Sequence, residues 1–273
     1  MSMPDPRSAP ITVPAVRAHK RRDGHPPLVM VTAYDTPGAR IADAAGVDLI
    51  LVGDSVANNV LGYPDTLQVT VDDMARHTAA VARAGPSALI VADLPWMSYH
   101  VDPADTVGNG ATLIRAGARS VKLEGGANRT PMIEALVAAE IPVMGHVGLT
   151  PQSINAMGGH RVQGRSDTDA HLLMLAAKAV VAAGCFAVVV EGVPEKVGEA
   201  ITASLDVPTI GIGAGPACDG QVLVFHDVLG FNERAPKFVR RYAELGAEAT
   251  AALTAYAADV RSGAFPSDAE VYH

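Results

Sequence analysis

SVKLEGG, residues 120–126, governs how the rest of the chain is read: a short, largely apolar segment that ends in a carboxylate and two glycines. The same figure recurs in DLILVGD (48–54), ALIVAD (88–93) and CFAVVVE (185–191), so Asp54, Asp93, Glu124 and Glu191 each fall where an apolar run stops. Apolar runs this short, bounded by turn residues, read as strands buried on both faces. Their carboxyl ends are where parallel α/β proteins build active sites. Several acids on one rim are costly unless a cation or a reaction uses them. The pattern points to an enzyme with a divalent metal.

Outward from that stretch, eight strands are expected at 28–33, 48–53, 88–93, 120–124, 142–146, 187–191, 208–213 and 222–226. Helix-like segments separate them at 37–45, 71–84, 103–116, 131–139, 169–183 and 194–204, several opening on Asp, Ser or Thr with Pro or an acid and closing near Gly. Eight βα units define a (β/α)8 TIM barrel; an open doubly wound sheet is the alternative. The connection at 214–221 is too short for a full seventh helix. Long loops at 54–70 and 147–168 follow the second and fifth strands, where lids and substrate walls are built. The expected organisation is a flexible segment over 1–14, one catalytic barrel over 15–265 and a tail over 266–273. The stretch from Ala235 to about Arg261 is expected to form one or two alanine-rich helices.

Composition narrows the function classes. The 273 residues are 49% hydrophobic and 18% charged, enough for a large core. A formal net charge of −8 argues against nucleic-acid binding. The basic run RAHKRR (17–22) reads as a solvated helix end or a binding patch. Cys185 and Cys218 form no CxxC pair, which disfavours a disulfide framework or a thiolate zinc site, and Cys185 reads as core. The proline-rich start has no signal-peptide pattern. The apolar stretch 172–190 carries Lys178 and Gly184 and reads as helix, turn and strand, with no membrane span. A cytoplasmic protein is expected.

Asp54 and Asp93 suit a hard cation such as Mg2+, which takes one or two carboxylates and keeps several waters; capping of the following turns is the alternative. Glu124 on the same rim favours the metal reading. Lys122 and Glu124 lie two apart on a strand and leave the same face. The Lys122 ammonium could neutralise a substrate carboxylate or developing enolate, or pair with Glu124. His146 ends the fifth strand as a catalytic or a structural histidine. Apolar burial makes a carboxylate a better proton acceptor, so Glu191 reads as a general base or as a salt-bridge partner of Lys196. GIGAG (211–215) lacks a P-loop lysine and reads as a tight turn. Asp35 suits a helix cap, with Tyr34 pointing toward the site.

TAYD (32–35), VGDS (52–55), ADLP (92–95), VKLEGG (121–126), GHVGLTPQ (145–152), VVEGVP (189–194) and GIGAG with DGQVLVFHDVLG (211–230) occur together and in order. In that register, from about residue 15 to 265, the chain resembles the ketopantoate hydroxymethyltransferase family. The resemblance implies a barrel related to the phosphoenolpyruvate and isocitrate lyase barrels, assembled as a homo-oligomer, commonly a decamer. It implies transfer of a one-carbon unit from 5,10-methylenetetrahydrofolate to 3-methyl-2-oxobutanoate, giving ketopantoate for pantothenate synthesis through a Mg2+-stabilised enolate. By motif, Asp54 and Asp93 would ligate Mg2+, with Glu124 acting directly or through water. Ser55, Lys122 and His146 would hold the oxo acid together with the two aspartates, with Tyr34 nearby and Glu191 as the base. His160, Arg161 and Arg165 become candidate folate contacts. The rival is a Mg2+-dependent lyase or phosphomutase on the same barrel, but the KKCGH-type cysteine loop of those families is absent. A non-catalytic metal-stabilised subunit is the other reading.

Overall fold

The computed structural model describes residues 9–273 and shows a closed parallel barrel in which each strand pairs with its neighbours in sequence and β8 returns to β1. The strands are β1 Leu28–Thr32, β2 Leu49–Val52, β3 Leu89–Asp93, β4 Ser120–Glu124, β5 Val143–Gly148, β6 Ala187–Glu191, β7 Thr209–Ile212 and β8 Gly220–Leu223. The helices are α1 Val13–Arg17, α2 Thr36–Ala44, α3 Val71–Ala82, α4 Pro103–Arg115, α5 Thr130–Ala138, α6 Ile154–Met157, α7 Asp167–Ala182, α8 Glu195–Ser204, α9 Phe225–Val228 and α10 Leu245–Ser262. The open-sheet alternative is thereby excluded. No helix of the described residues is long and apolar enough to cross a membrane; the stretch at 172–190 is the end of α7, a turn and β6.

Side-chain alternation along the strands separates two hydrophobic clusters. Ile50, Val52, Ile90, Ala92, Val121, Leu123, Val188 and Val190 pack outward under the helices. Their neighbours Leu49, Leu51, Leu89, Val91, Met144, Val189 and Ile210 fill the barrel interior. The period of two continues upward, so Asp93, Lys122, Glu124, His146 and Glu191 close the inward-facing rows at the carboxyl ends. An apolar floor therefore lies directly beneath a polar rim.

Helix starts follow the expected chemistry. Asp35 caps α2 through a 2.7 Å bond from Gly38 N–H. Thr70 and Asp73 form a reciprocal capping box on α3, and Asp102 caps α4 ahead of its proline.

Three expectations need correction. The eighth strand is Gly220–Leu223, not 222–226, because Phe225–Val228 turns into a short helix. The loop after β2 holds one π-helical turn at Ala57–Leu61, and helix in the C-terminal stretch begins only at Leu245. The RAHKRR run is neither a solvated end nor a patch at its centre: Lys20 is 3% exposed and pairs with Asp219 at 2.6 Å. Ile11, Val13 and Val16 join the interior cluster, so this segment lies against the barrel's contents; residues 1–8 of the expected N-terminal segment fall outside the described residues. The seventh unit runs from β7 to β8 without a helix. Two compact units are present, one extending to Val224 and containing the barrel, the other Phe225–His273.

Candidate active site

Strand register brings the chemistry together. Asp93 on β3 stands opposite Lys122 on β4, and Glu124 stands opposite His146 on β5. Asp54 and Ser55 follow β2 directly. At Gly53 an added Cβ would lie 2.8 Å from Ser55 Oγ and 3.5 Å from Asp93 Oδ2, so only glycine admits these polar groups so close to the turn. Gly148, at φ +100°, plays the same part between β5 and β6: a Cβ there would sit on the Glu191 carbonyl oxygen, which accepts the Leu149 N–H at 2.8 Å.

These side chains line one cavity of about 110 Å³, with Thr32, Leu51, Val189, Ile212 and Val222 as its apolar and small polar wall. Asp54, Asp93, Lys122, Glu124 and His146 are all 4% exposed or less. Glu191 is more open, its side chain 14% exposed. Lys122 Nζ lies 3.0 Å from Asp93 Oδ1 and 3.2 Å from His146 Nδ1. His146 Nε2 in turn lies 3.1 Å from Glu191 Oε2, and its Nδ1 is 3.5 Å from Glu124 Oε1. Asp93 Oδ2 accepts the Asp54 N–H at 3.1 Å. Tyr34 is buried beside the site, with its hydroxyl 2.9 Å from Ser55 Oγ.

Burial governs the charges. It raises the Asp54 carboxyl to about 7, with the Asp93 charge adding to the effect. It also lifts Glu124 well above the carboxylate range, helped by Asp54. Burial alone would pull the Lys122 ammonium down, but Asp93, Glu124 and Asp54 outweigh it and hold the amine above its ordinary value. Burial, and then Lys122, push His146 down, so its ring is neutral. An ammonium can only donate, so Nδ1 accepts from Lys122 and the ring proton sits on Nε2, facing Glu191.

Three buried carboxyl groups beside one ammonium form a set of hard oxygen donors, and a bound cation would favour the ionised form that burial disfavours in Asp54 and Glu124. That chemistry fits Mg2+ better than zinc. Among the described residues no three His, Cys, Asp or Glu side chains converge as a metal cluster on their own. Glu124 is turned instead toward the Gln152 N–H, 3.0 Å from its Oε2. The set that fits is therefore Asp54 and Asp93 completed by water, as Mg2+ accepts.

Two residues of the site escaped the reading of the sequence, Gln152 and Tyr99, both buried. Gln152 stood inside the quoted GHVGLTPQ motif, but an uncharged amide gives no signal by itself. The structure places His160, Arg161 and Arg165 as exposed side chains on the loop after β5, outside the cavity. That loop is tied back near Glu191 by the Gln163 N–H to the Gly192 carbonyl at 2.8 Å. Lys196 is exposed at the start of α8, and among the described residues no ion pair joins it to Glu191, which faces the His146 ring instead.

Fold and site together define a (β/α)8-barrel enzyme with a buried acidic pocket at the strand ends. The chain belongs to the ketopantoate hydroxymethyltransferase family, which it matches over residues 10–268. It is 54% identical over 258 residues to the 3-methyl-2-oxobutanoate hydroxymethyltransferase of Moorella thermoacetica, covering 94% of this chain and 95% of that one. It is 51% identical over 255 residues to the enzyme of the same name from Koribacter versatilis, covering 93% and 86%. Among solved structures, a phosphonopyruvate hydrolase in complex with oxalate and Mg2+ superposes with a TM-score of 0.62 at 15% identity, over 96% of this chain and 91% of that one. The 2,3-dimethylmalate lyase of the PEP mutase/isocitrate lyase superfamily gives 0.61 at 18%, over 95% and 91%. Those two likenesses concern the fold.

Proposed function

We propose that this chain transfers a hydroxymethyl group from 5,10-methylenetetrahydrofolate to 3-methyl-2-oxobutanoate, producing ketopantoate. The observation that carries the reading is the meeting, in one cavity, of Asp54, Asp93 and Glu124 with Lys122, His146 and Glu191, in a chain of this family. Asp54 and Asp93 would hold Mg2+, with Glu124 acting directly or through water. A Mg2+ held there would supply Lewis acidity to the oxo acid. Lys122 and Ser55 hold the oxo acid, with Tyr34 fixing the Ser55 hydroxyl.

Glu191 takes the C3 proton. It is the most open of the four acids, and it faces a neutral histidine N–H in place of a lysine. The Nε2–H of His146 steadies that carboxylate before proton transfer. Lys122 offsets the negative charge that develops on the oxo oxygen as the C3–H bond breaks. The apolar floor of Leu51, Val189 and Val222 shields the resulting carbanionic carbon from reprotonation. That carbon forms the new C–C bond to the one-carbon unit, the carbon–nitrogen bonds to the folate break, water supplies the hydroxyl oxygen, and tetrahydrofolate leaves. His160, Arg161 and Arg165 contact the glutamate tail of the folate. The chain acts as a homo-oligomer, with a decamer expected; α10 supports association, since none of its residues is buried and Leu253, Tyr256 and Val260 share one face.

The test is proton NMR of the purified protein with 3-methyl-2-oxobutanoate, formaldehyde and tetrahydrofolate. Ketopantoate should form with Mg2+ and not with EDTA. Unchanged substrate in both samples would contradict the activity.

A further inference from the structure

Gln152 lies 5% exposed where the loop after β5 turns over the site, and every polar atom of its side chain is used. Its Nε2 donates to Asp54 Oδ2 at 2.8 Å and to the Leu94 carbonyl at 3.0 Å. Its Oε1 accepts the Tyr99 hydroxyl at 2.6 Å. Its backbone N–H donates to Glu124 Oε2 at 3.0 Å. Tyr99, 1% exposed, accepts the Glu124 N–H at 3.1 Å on the same oxygen that donates to Gln152. The hydrogen bonds thus close a ring: Glu124 backbone, Tyr99, Gln152, and back to the Glu124 carboxylate, with a branch to Asp54.

The polarity of this ring is fixed at each step. The Leu94 carbonyl can only accept, so the Gln152 amide cannot turn over without setting its oxygen against that carbonyl oxygen. With the amide fixed, the tyrosine must donate, which leaves its lone pair for the Glu124 N–H. Arg129 covers the Tyr99 ring at 5.4 Å, holding the phenol in place from the other side. Buried networks in which all members are satisfied hold one geometry, because any other leaves a buried polar group unpaired.

We infer that Gln152 and Tyr99 are positioning residues: they clamp Asp54 and Glu124 at the separation and orientation in which the pocket accepts a divalent cation. The inference rests on the proposed metal site of Asp54 and Asp93. It assigns a task to an uncharged pair that touches neither reacting atom. Partners of this kind typically change metal affinity 10–100-fold.

The experiment is a Mn2+ titration followed by electron paramagnetic resonance on wild type, Tyr99→Phe, Gln152→Met and the double variant, with Asp54→Asn as control. Circular dichroism and thermal melts check each fold. Wild type should bind Mn2+ and Asp54→Asn should not; failure of either result would strike the metal site itself, not the clamp. Tyr99→Phe keeps the ring and volume, and should weaken Mn2+ about tenfold with secondary structure intact. Gln152→Met should weaken it at least as much. The double variant should lose little beyond the larger single loss, because Tyr99 acts on Asp54 through Gln152. With Mn2+ saturating, kcat should recover most of its value in Tyr99→Phe. A folded Tyr99→Phe with wild-type Mn2+ affinity would overturn the inference, as would fully additive losses in the double variant. If Gln152→Met does not fold, Tyr99→Phe alone decides.

Discussion

Asp54 is the residue whose chemistry depends most on its surroundings. Buried beside Asp93, it is held protonated up to about pH 7. A proton and a cation compete for the same oxygens, so Mg2+ should bind more weakly at pH 6 than at pH 8 in titration calorimetry. The same shift acts on the metal-free fold. A carboxyl raised from 3.8 to about 7 on folding contributes stability that is present below 3.8 and lost as pH rises through 7. Mg2+ should therefore raise the melting temperature more at pH 8 than at pH 5. Equal increments at the two pH values would show that Asp54 does not titrate in this range. From the sequence, Asp54, Asp93, Lys122, Glu124, His146 and Glu191 could each be placed at a strand end. Their ion pairs could not, since a period of two gives the face but not the partner across the barrel. Gln152 and Tyr99 were invisible for a related reason: their roles arise where two separate loops meet.

At the scale of elements, near-continuous apolar runs made the strands legible, and the Gly and Asp boundaries fixed β4 and β6 to the residue. The eighth strand was misplaced because Val222, Leu223, Val224 and Phe225 are as apolar as a strand, while a turn of helix begins within that run. Periodicity cannot separate the two over so short a stretch. The ends of β5 and β6 carry His146 and Glu191, and Gly148 lets them close. Gly148→Ala would force a side chain into a left-handed position and against the Glu191 carbonyl. It should cost about 1–3 kcal/mol in denaturant melts, with kcat falling further than Mg2+ affinity, because Glu191 moves and Asp54 does not. A variant with wild-type stability and turnover would show that this approach is not constrained.

At the scale of the whole molecule, the barrel keeps its two ends for different work. The acidic pocket lies at the carboxyl ends of the strands. At the amino ends of β7 and β8, Lys20 donates to the Thr202 and Val207 carbonyls at 3.1 and 3.2 Å and pairs with Asp219. Val16 enters the interior cluster from the same segment. A basic run in the sequence gave no sign of this closure, because burial of a lysine depends on a partner two hundred residues away. Lys20→Met should leave Asp219 buried without its counter-charge and cost about 3–5 kcal/mol in denaturant melts. The kcat of the folded fraction should stay near wild type. A large loss of kcat without a loss of stability would mean that the two ends are coupled.

The central claim is that Glu191 removes the C3 proton in this cavity. It is tested most directly by following deuterium exchange at C3 of 3-methyl-2-oxobutanoate by proton NMR in D2O with Mg2+ and no folate. Wild type should exchange that proton, while Glu191→Gln should fall by about 10²-fold or more and still bind Mg2+ in calorimetry. Exchange at the wild-type rate in Glu191→Gln would contradict the account.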